Sequence, residues 1–141
     1  MSRWLNRLQP WGIVLLRLVL GAAMIVNGSR KVIPRGGFHS GNTFAALQQF
    51  ANNIATLGIP HWLGYFSAFA EFVGGMFLIL GLLTRFFALL VTINMIVAIV
   101  AVDLRQGYAG AQYSLALASI AIMLLLTGPG KAAVDRKFGF S

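Results

Sequence analysis

The chain has 141 residues, 58% of them hydrophobic and 10% charged, with 11 Lys or Arg against 3 acids for a formal net charge of +8. A soluble domain carries about 25% charged residues, so this composition has too little polar surface to cover an aqueous globule of one domain and points to a bilayer as its solvent. The basic residues stand singly or in pairs between long apolar runs, which excludes a nucleic-acid binder, and the lack of cysteine excludes disulfides, thiolate metal sites and cysteine nucleophiles.

A membrane-spanning helix needs about 20 predominantly apolar residues. The first such segment covers about residues 11–28, with Pro10 placed to open it and Arg17 as its only charge. It reads as a spanning helix, not a cleaved leader, because the run is long and no small-residue cleavage pattern follows it. The connection after it begins as an irregular loop at Arg35-Gly36-Gly37-Phe38-His39-Ser40-Gly41. From about 43 to 57, Phe44, Leu47, Phe50, Ile54 and Leu57 recur at helical spacing opposite Gln48, Gln49, Asn52 and Asn53. Asn42 or Thr43 can cap that helix, and Gly58 with Pro60 can close it. Too polar to span, it is expected in the interface or over the mouth of the bundle.

The second span, about 62–83, carries one charge, Glu71. The third, about 86–102, has Asn94 as its most polar residue, and Asp103 and Arg105 mark its end. The fourth, about 112–127, is stopped by Gly128-Pro129-Gly130. The fold class is therefore an all-α integral membrane protein, a single domain of four transmembrane helices with one short amphipathic helix. Six basic residues (Arg3, Arg7, Arg85, Lys131, Arg136, Lys137) fall on the side of the termini and four (Arg30, Lys31, Arg35, Arg105) on the other. That bias predicts both termini in the cytoplasm.

Ionisable residues inside a membrane are functional candidates by default and need partners. Counted from Trp11 and Trp62, Arg17 and Glu71 lie about 9 and 13 Å inside their spans from opposite sides. Both then fall in the middle of the core, and a contact or one-water bridge between them is expected. Arg17, Gly21, Met24 and Gly28 share one helix face, as do Ser67, Glu71, Gly74 or Gly75, and Leu78. Asn94 is placed to join them, Asn27 lies beside that face, and Tyr113 offers a hydroxyl near the start of the fourth span. A register-fixing ion pair competes with a functional site for Arg17 and Glu71. Met24, Phe69, Phe72 and Met76 are the expected lining of an apolar cavity beside them. His39 and His61 read as loop residues; no metal site, P-loop or serine-nucleophile motif is present.

Five stretches, taken in order, resemble the DoxX family of small four-span membrane proteins. They are Leu15-Leu16-Arg17-Leu18-Val19-Leu20-Gly21, Asn27-Gly28-Ser29-Arg30-Lys31-Val32, Leu57-Gly58-Ile59-Pro60, Ala70-Glu71-Phe72-Val73-Gly74-Gly75 running on to Leu80-Gly81-Leu82-Leu83-Thr84-Arg85, and Gly128-Pro129-Gly130-Lys131 with Asp135. Asn27 and Gln112 depart from the histidine and glutamate that the family often has at those points. The resemblance implies a membrane part of a redox or oxidative-stress system in the inner membrane of a prokaryote, with no covalent cofactor. A quinone or similar amphipathic molecule would bind between the helices, Arg17 anchoring a carbonyl and Glu71 holding Arg17 or relaying a proton. Electrons would then come from a soluble redox partner at the cytoplasmic face, so enzyme and accessory subunit both stand as readings. A non-enzymatic anchor for a soluble oxidoreductase is the alternative, and a small-molecule transporter, which would need a homo-oligomer, is the third. Membrane lipid is the surrounding partner in every case.

Overall fold

The computed structural model describes residues 2–33 and 43–139. Long apolar runs become helices because a helix satisfies every backbone donor and acceptor within itself, which lipid demands. In order they are α1 (Ser2–Val32), α2 (Thr43–Ala55), α3 (His61–Leu80), α4 (Thr84–Ala101), a 3-10 turn (Asp103–Gln106), α5 (Tyr108–Thr127) and α6 (Val134–Phe138). Four of these, α1, α3, α4 and α5, are long and apolar enough to cross a membrane. The expected loop at 35–41, with His39, and the Asn42 cap lie outside the described residues.

The first helix corrects the expected boundary: it begins at Ser2, and Pro10 stands inside it instead of opening it. At 31 residues it runs roughly 46 Å, longer than a bilayer core is thick. The second span ends sooner than expected, at Leu80. Gly81 takes φ +69° there, and the Gly81 and Leu82 amides return to the carbonyls of Leu78 and Phe77. This is the left-handed helix stop that glycine makes cheaply.

The core is built from Leu20, Met24, Leu78, Phe87, Val91, Met95, Leu117 and Leu124, all buried between α1, α3, α4 and α5. The most extensive contact is α1 against α3, and glycines set it. A Cβ at Gly75 would lie 2.7 Å from the Gly21 carbonyl oxygen, and a Cβ at Gly28 would lie 2.6 Å from the Phe72 amide nitrogen. The two backbones therefore touch, as small-residue packing in membranes permits. Leu15, Leu18, Val19, Leu89, Ile96, Val100, Ile122 and Leu126 stay exposed, as lipid-facing positions should.

At the end holding the termini, the tail of the chain locks the bundle. The buried Asp135 carboxylate accepts the amides of Leu83 at 2.5 Å and Thr84 at 2.8 Å, and the Asp135 amide donates to the Gly81 carbonyl at 3.0 Å. The carboxylate thus caps α4 from 51 residues away. Leu83, at φ +49°, is the one non-glycine with positive φ among the described residues; the Asp135 bond holds it there.

Candidate functional site

The glycine register decides where the two intramembrane charges go, and it separates them. Gly28 is level with Phe72, so Glu71 lies about eleven residues, roughly 17 Å, along the bundle from Arg17. The expected Arg17–Glu71 contact does not form. Arg17 is buried at the termini end against Gly81; its Nη1 donates to the Pro129 carbonyl at 2.5 Å and its Nη2 to that of Ala132, with Asp135 acting on it electrostatically. Depth counting failed because it set Trp11 and Trp62 at the two opposite faces of one roughly 30 Å core, whereas α1 begins nine residues before Trp11 and the glycine register sets the relative depth.

Glu71 finds Lys31 instead. Its Oε2 lies 2.7 Å from Lys31 Nζ, and its Oε1 accepts Asn94 Nδ2 at 2.8 Å and Ser67 Oγ at 3.5 Å. Lys31 Nζ also donates to Ser67 Oγ at 2.9 Å and sits 4.6 Å above the Phe50 ring centroid, a cation–π contact. Ser67 and Glu71 share a face because they are four residues apart on α3, while α1, α2 and α4 deliver Lys31, Phe50 and Asn94. Glu71 and Asn94 are 3% and 5% exposed, so this is a charged cluster inside the bundle. Buried charges gain little net stability from pairing, and all four groups turn towards one space.

That space is a cavity of about 340 Å³ between α2, α3 and α4. Phe50, Ile54, Leu57, Leu63, Phe66, Ile93 and Val97 form its apolar wall, Lys31, Ser67, Glu71 and Asn94 its inner polar end, and Asp103 part of its lining. Leu57 and Ile93 are themselves exposed, so the apolar wall runs out to the surface. The amphipathic α2 lies over the mouth of this cavity, contributing Phe50, Asn53 and Ile54 to its lining, with its buried Ala51 packed on Gly64 of α3. A second groove, about 390 Å³, shares Lys31, Phe50, Glu71 and Ala98 and is completed by Asn27, Arg30, Met95, Tyr113 and Ser114. There Asn27 Nδ2 donates to the Tyr113 hydroxyl at 3.2 Å.

Of the expected site residues, Glu71, Asn94, Asn27 and Tyr113 therefore surround one polar centre, and Arg17 does not. The expected lining is also displaced. Met24 is fully buried in the core, Phe69 and Met76 are 53% and 39% exposed, Phe72 backs onto Gly28, and none of the four borders either space. The sequence reading missed Lys31, Phe50 and Asp103 as lining of this cavity. Lys31 could have been found: it continues the stripe of Arg17, Gly21, Met24 and Gly28 by one step of three. Among the described residues no group of acids and histidines is arranged to hold a metal ion.

Fold and site together define a four-span membrane protein with a charged, partly enclosed cavity in the half of the bundle remote from its termini. The chain belongs to the DoxX family, whose model matches residues 12–104, a stretch that includes Lys31, Phe50, Ser67, Glu71, Asn94 and Asp103. It is similar to a protein of Bacillus subtilis (strain 168) named "Putative oxidoreductase CatD", 28% identical over 132 residues that make up 93% of this chain and 90% of the relative. No solved structure matches it.

Proposed function

We propose that this protein is a membrane component of a redox system and binds a quinone or similar amphipathic molecule in the cavity ending on Lys31, Ser67, Glu71 and Asn94. The observation that carries this reading is a cavity of about 340 Å³ with an apolar wall and a few polar groups gathered at its inner end, the usual make-up of a small-molecule site. The volume suits one substituted ring, since about 150 Å³ holds benzene; a longer tail would leave past Leu57 and Ile93 towards lipid. A quinone supplies two-electron, two-proton redox chemistry when bound. Lys31 and Asn94 would orient the polar head of the ligand, Glu71 would hold both in place, and Phe50 would shield the pair from water. The name of the Bacillus relative favours an oxidoreductase role. With the termini cytoplasmic in a prokaryotic inner membrane, a soluble redox partner would meet Arg85, Lys131, Arg136 and Lys137, all exposed on that face.

The test is equilibrium binding of 2,6-dimethyl-1,4-benzoquinone to the detergent-purified full chain. Saturable binding should weaken roughly tenfold or more in Lys31→Met and Glu71→Gln, the loss of one charged hydrogen bond. Arg17→Lys, remote from the cavity, should bind as the wild type does. Equal affinity in all four proteins would refute the site.

A further inference from the structure

The hydrogen-bonding capacity left over in the cavity specifies which form of ligand it holds best. Each inner donor already has a protein partner, which leaves one hydrogen on Lys31 Nζ and one on Asn94 Nδ2 for the near oxygen of a ligand: Lys31 meets Glu71, Ser67 and the Phe50 ring, Asn94 Nδ2 meets Glu71, and Ser67 Oγ meets Glu71. The group still lacking a partner is an acceptor. Asp103 lines the same cavity, and its Oδ2 is buried without a hydrogen bond. The nearest cation in sequence, Arg105, turns away and donates to the Leu57 carbonyl at 3.5 Å. The other two acids of the chain are answered, Glu71 by Lys31 and Asp135 by two backbone amides. Glu71 Oε2 also lacks a hydrogen bond but has the Lys31 ammonium 2.7 Å away, so among the acids Asp103 alone presents a desolvated oxygen with neither a hydrogen bond nor an ion pair.

An ionised carboxylate can only accept hydrogen bonds, and a carbonyl can only accept as well. A quinone carbonyl placed against Asp103 therefore leaves two acceptors facing each other, whereas a hydroxyl on the same ring donates into Oδ2. Asp103 as a residue is half-buried, but its Oδ2 is closed to solvent, and a desolvated acceptor set against another acceptor forfeits its hydrogen bond, so one hydrogen atom separates the two ligand forms. We propose that Asp103 is the acceptor for a ligand hydroxyl, so that the cavity binds the reduced, hydroxyl-bearing form of an aromatic ring more tightly than the carbonyl form. This rests on the small-molecule reading of the cavity and deepens it. Its consequence is thermodynamic. Each tenfold preference for the reduced form raises the two-electron potential of the bound couple by about 30 mV, which makes the site one that draws electrons onto its ligand.

The experiment is anaerobic calorimetric titration of the purified full chain with 2,6-dimethyl-1,4-benzoquinone, its hydroquinone and the hydroquinone dimethyl ether. The hydroquinone should bind roughly tenfold or more tightly than either of the others. The ether keeps the ring and both oxygens but has no donor, so the wild type alone tests the idea. In Asp103→Asn, whose amide can both donate and accept, the preference should collapse and the quinone should gain affinity. Equal binding of all three compounds, or an unchanged preference in Asp103→Asn, would overturn the role of Asp103 and leave the small-molecule reading standing. Binding of none of them sinks both.

Discussion

Removing one charge from the Lys31–Glu71 pair should harm the protein more than removing both. Glu71→Ala leaves a largely buried ammonium facing Asn94 and Ser67 with no counter-charge, a loss of about 3–5 kcal/mol by analogy with other buried pairs. The double substitution Lys31→Met with Glu71→Leu removes the desolvation cost together with the attraction and should recover most of that loss. Thermal unfolding of the wild type and these two variants in detergent, followed by circular dichroism, gives the comparison; a double variant no more stable than Glu71→Ala would show that the two charges do not interact. Glu71 and Asn94 were legible as members of one polar cluster because a charge or an amide in an apolar run needs a partner there. Lys31 was masked by its place at the end of a span, where basic residues ordinarily report topology. Asp103 was masked for the same reason, since an acid beside the last apolar residue normally meets water.

At the scale of elements, four spans and one amphipathic helix could be read from hydropathy and spacing alone. Their register could not. It depends on which small residues of α1 meet which of α3, and several stripes of glycine and alanine would serve equally well in the sequence. The Gly21–Gly75 and Gly28–Phe72 contacts select one of them, and with it the partners of Arg17 and Glu71. Gly75→Leu should therefore act well beyond its own volume. Overpacking costs about 1–3 kcal/mol, and any shift that relieves it parts Lys31 from Glu71. The checks are a lowered melting temperature together with weakened quinone binding. Asp135→Ala should lower stability without that second effect, by about 0.5–2 kcal/mol for a lost helix cap, because its bonds lie at the opposite end of the bundle.

For the whole molecule, six basic residues against four predict that the termini lie in the cytoplasm, with the mouth under α2 then facing the other side. The sequence contains no cysteine, and single cysteines can report this without background. Lys131→Cys in whole cells should resist a membrane-impermeant maleimide until the membrane is broken, while Arg30→Cys should react at once. The reverse pattern would invert the molecule. The two ends of the bundle differ in kind as well as in direction: the Arg17 and Asp135 end is closed by bonds to backbone, and the Lys31 and Glu71 end is left partly hollow.

The Asp135 cap also sets an order of events during synthesis. The first turn of α4 waits for a carboxylate that is translated 51 residues after it, which at ordinary elongation rates is roughly 3–10 s. Until then the Leu83 and Thr84 amides have no side-chain acceptor, and Arg17, made earlier still, lacks the Pro129 and Ala132 carbonyls. The closing of that end accordingly follows insertion of the last span: a nascent chain stalled before Asp135 carries amide donors without their acceptor and an arginine without its carbonyl partners.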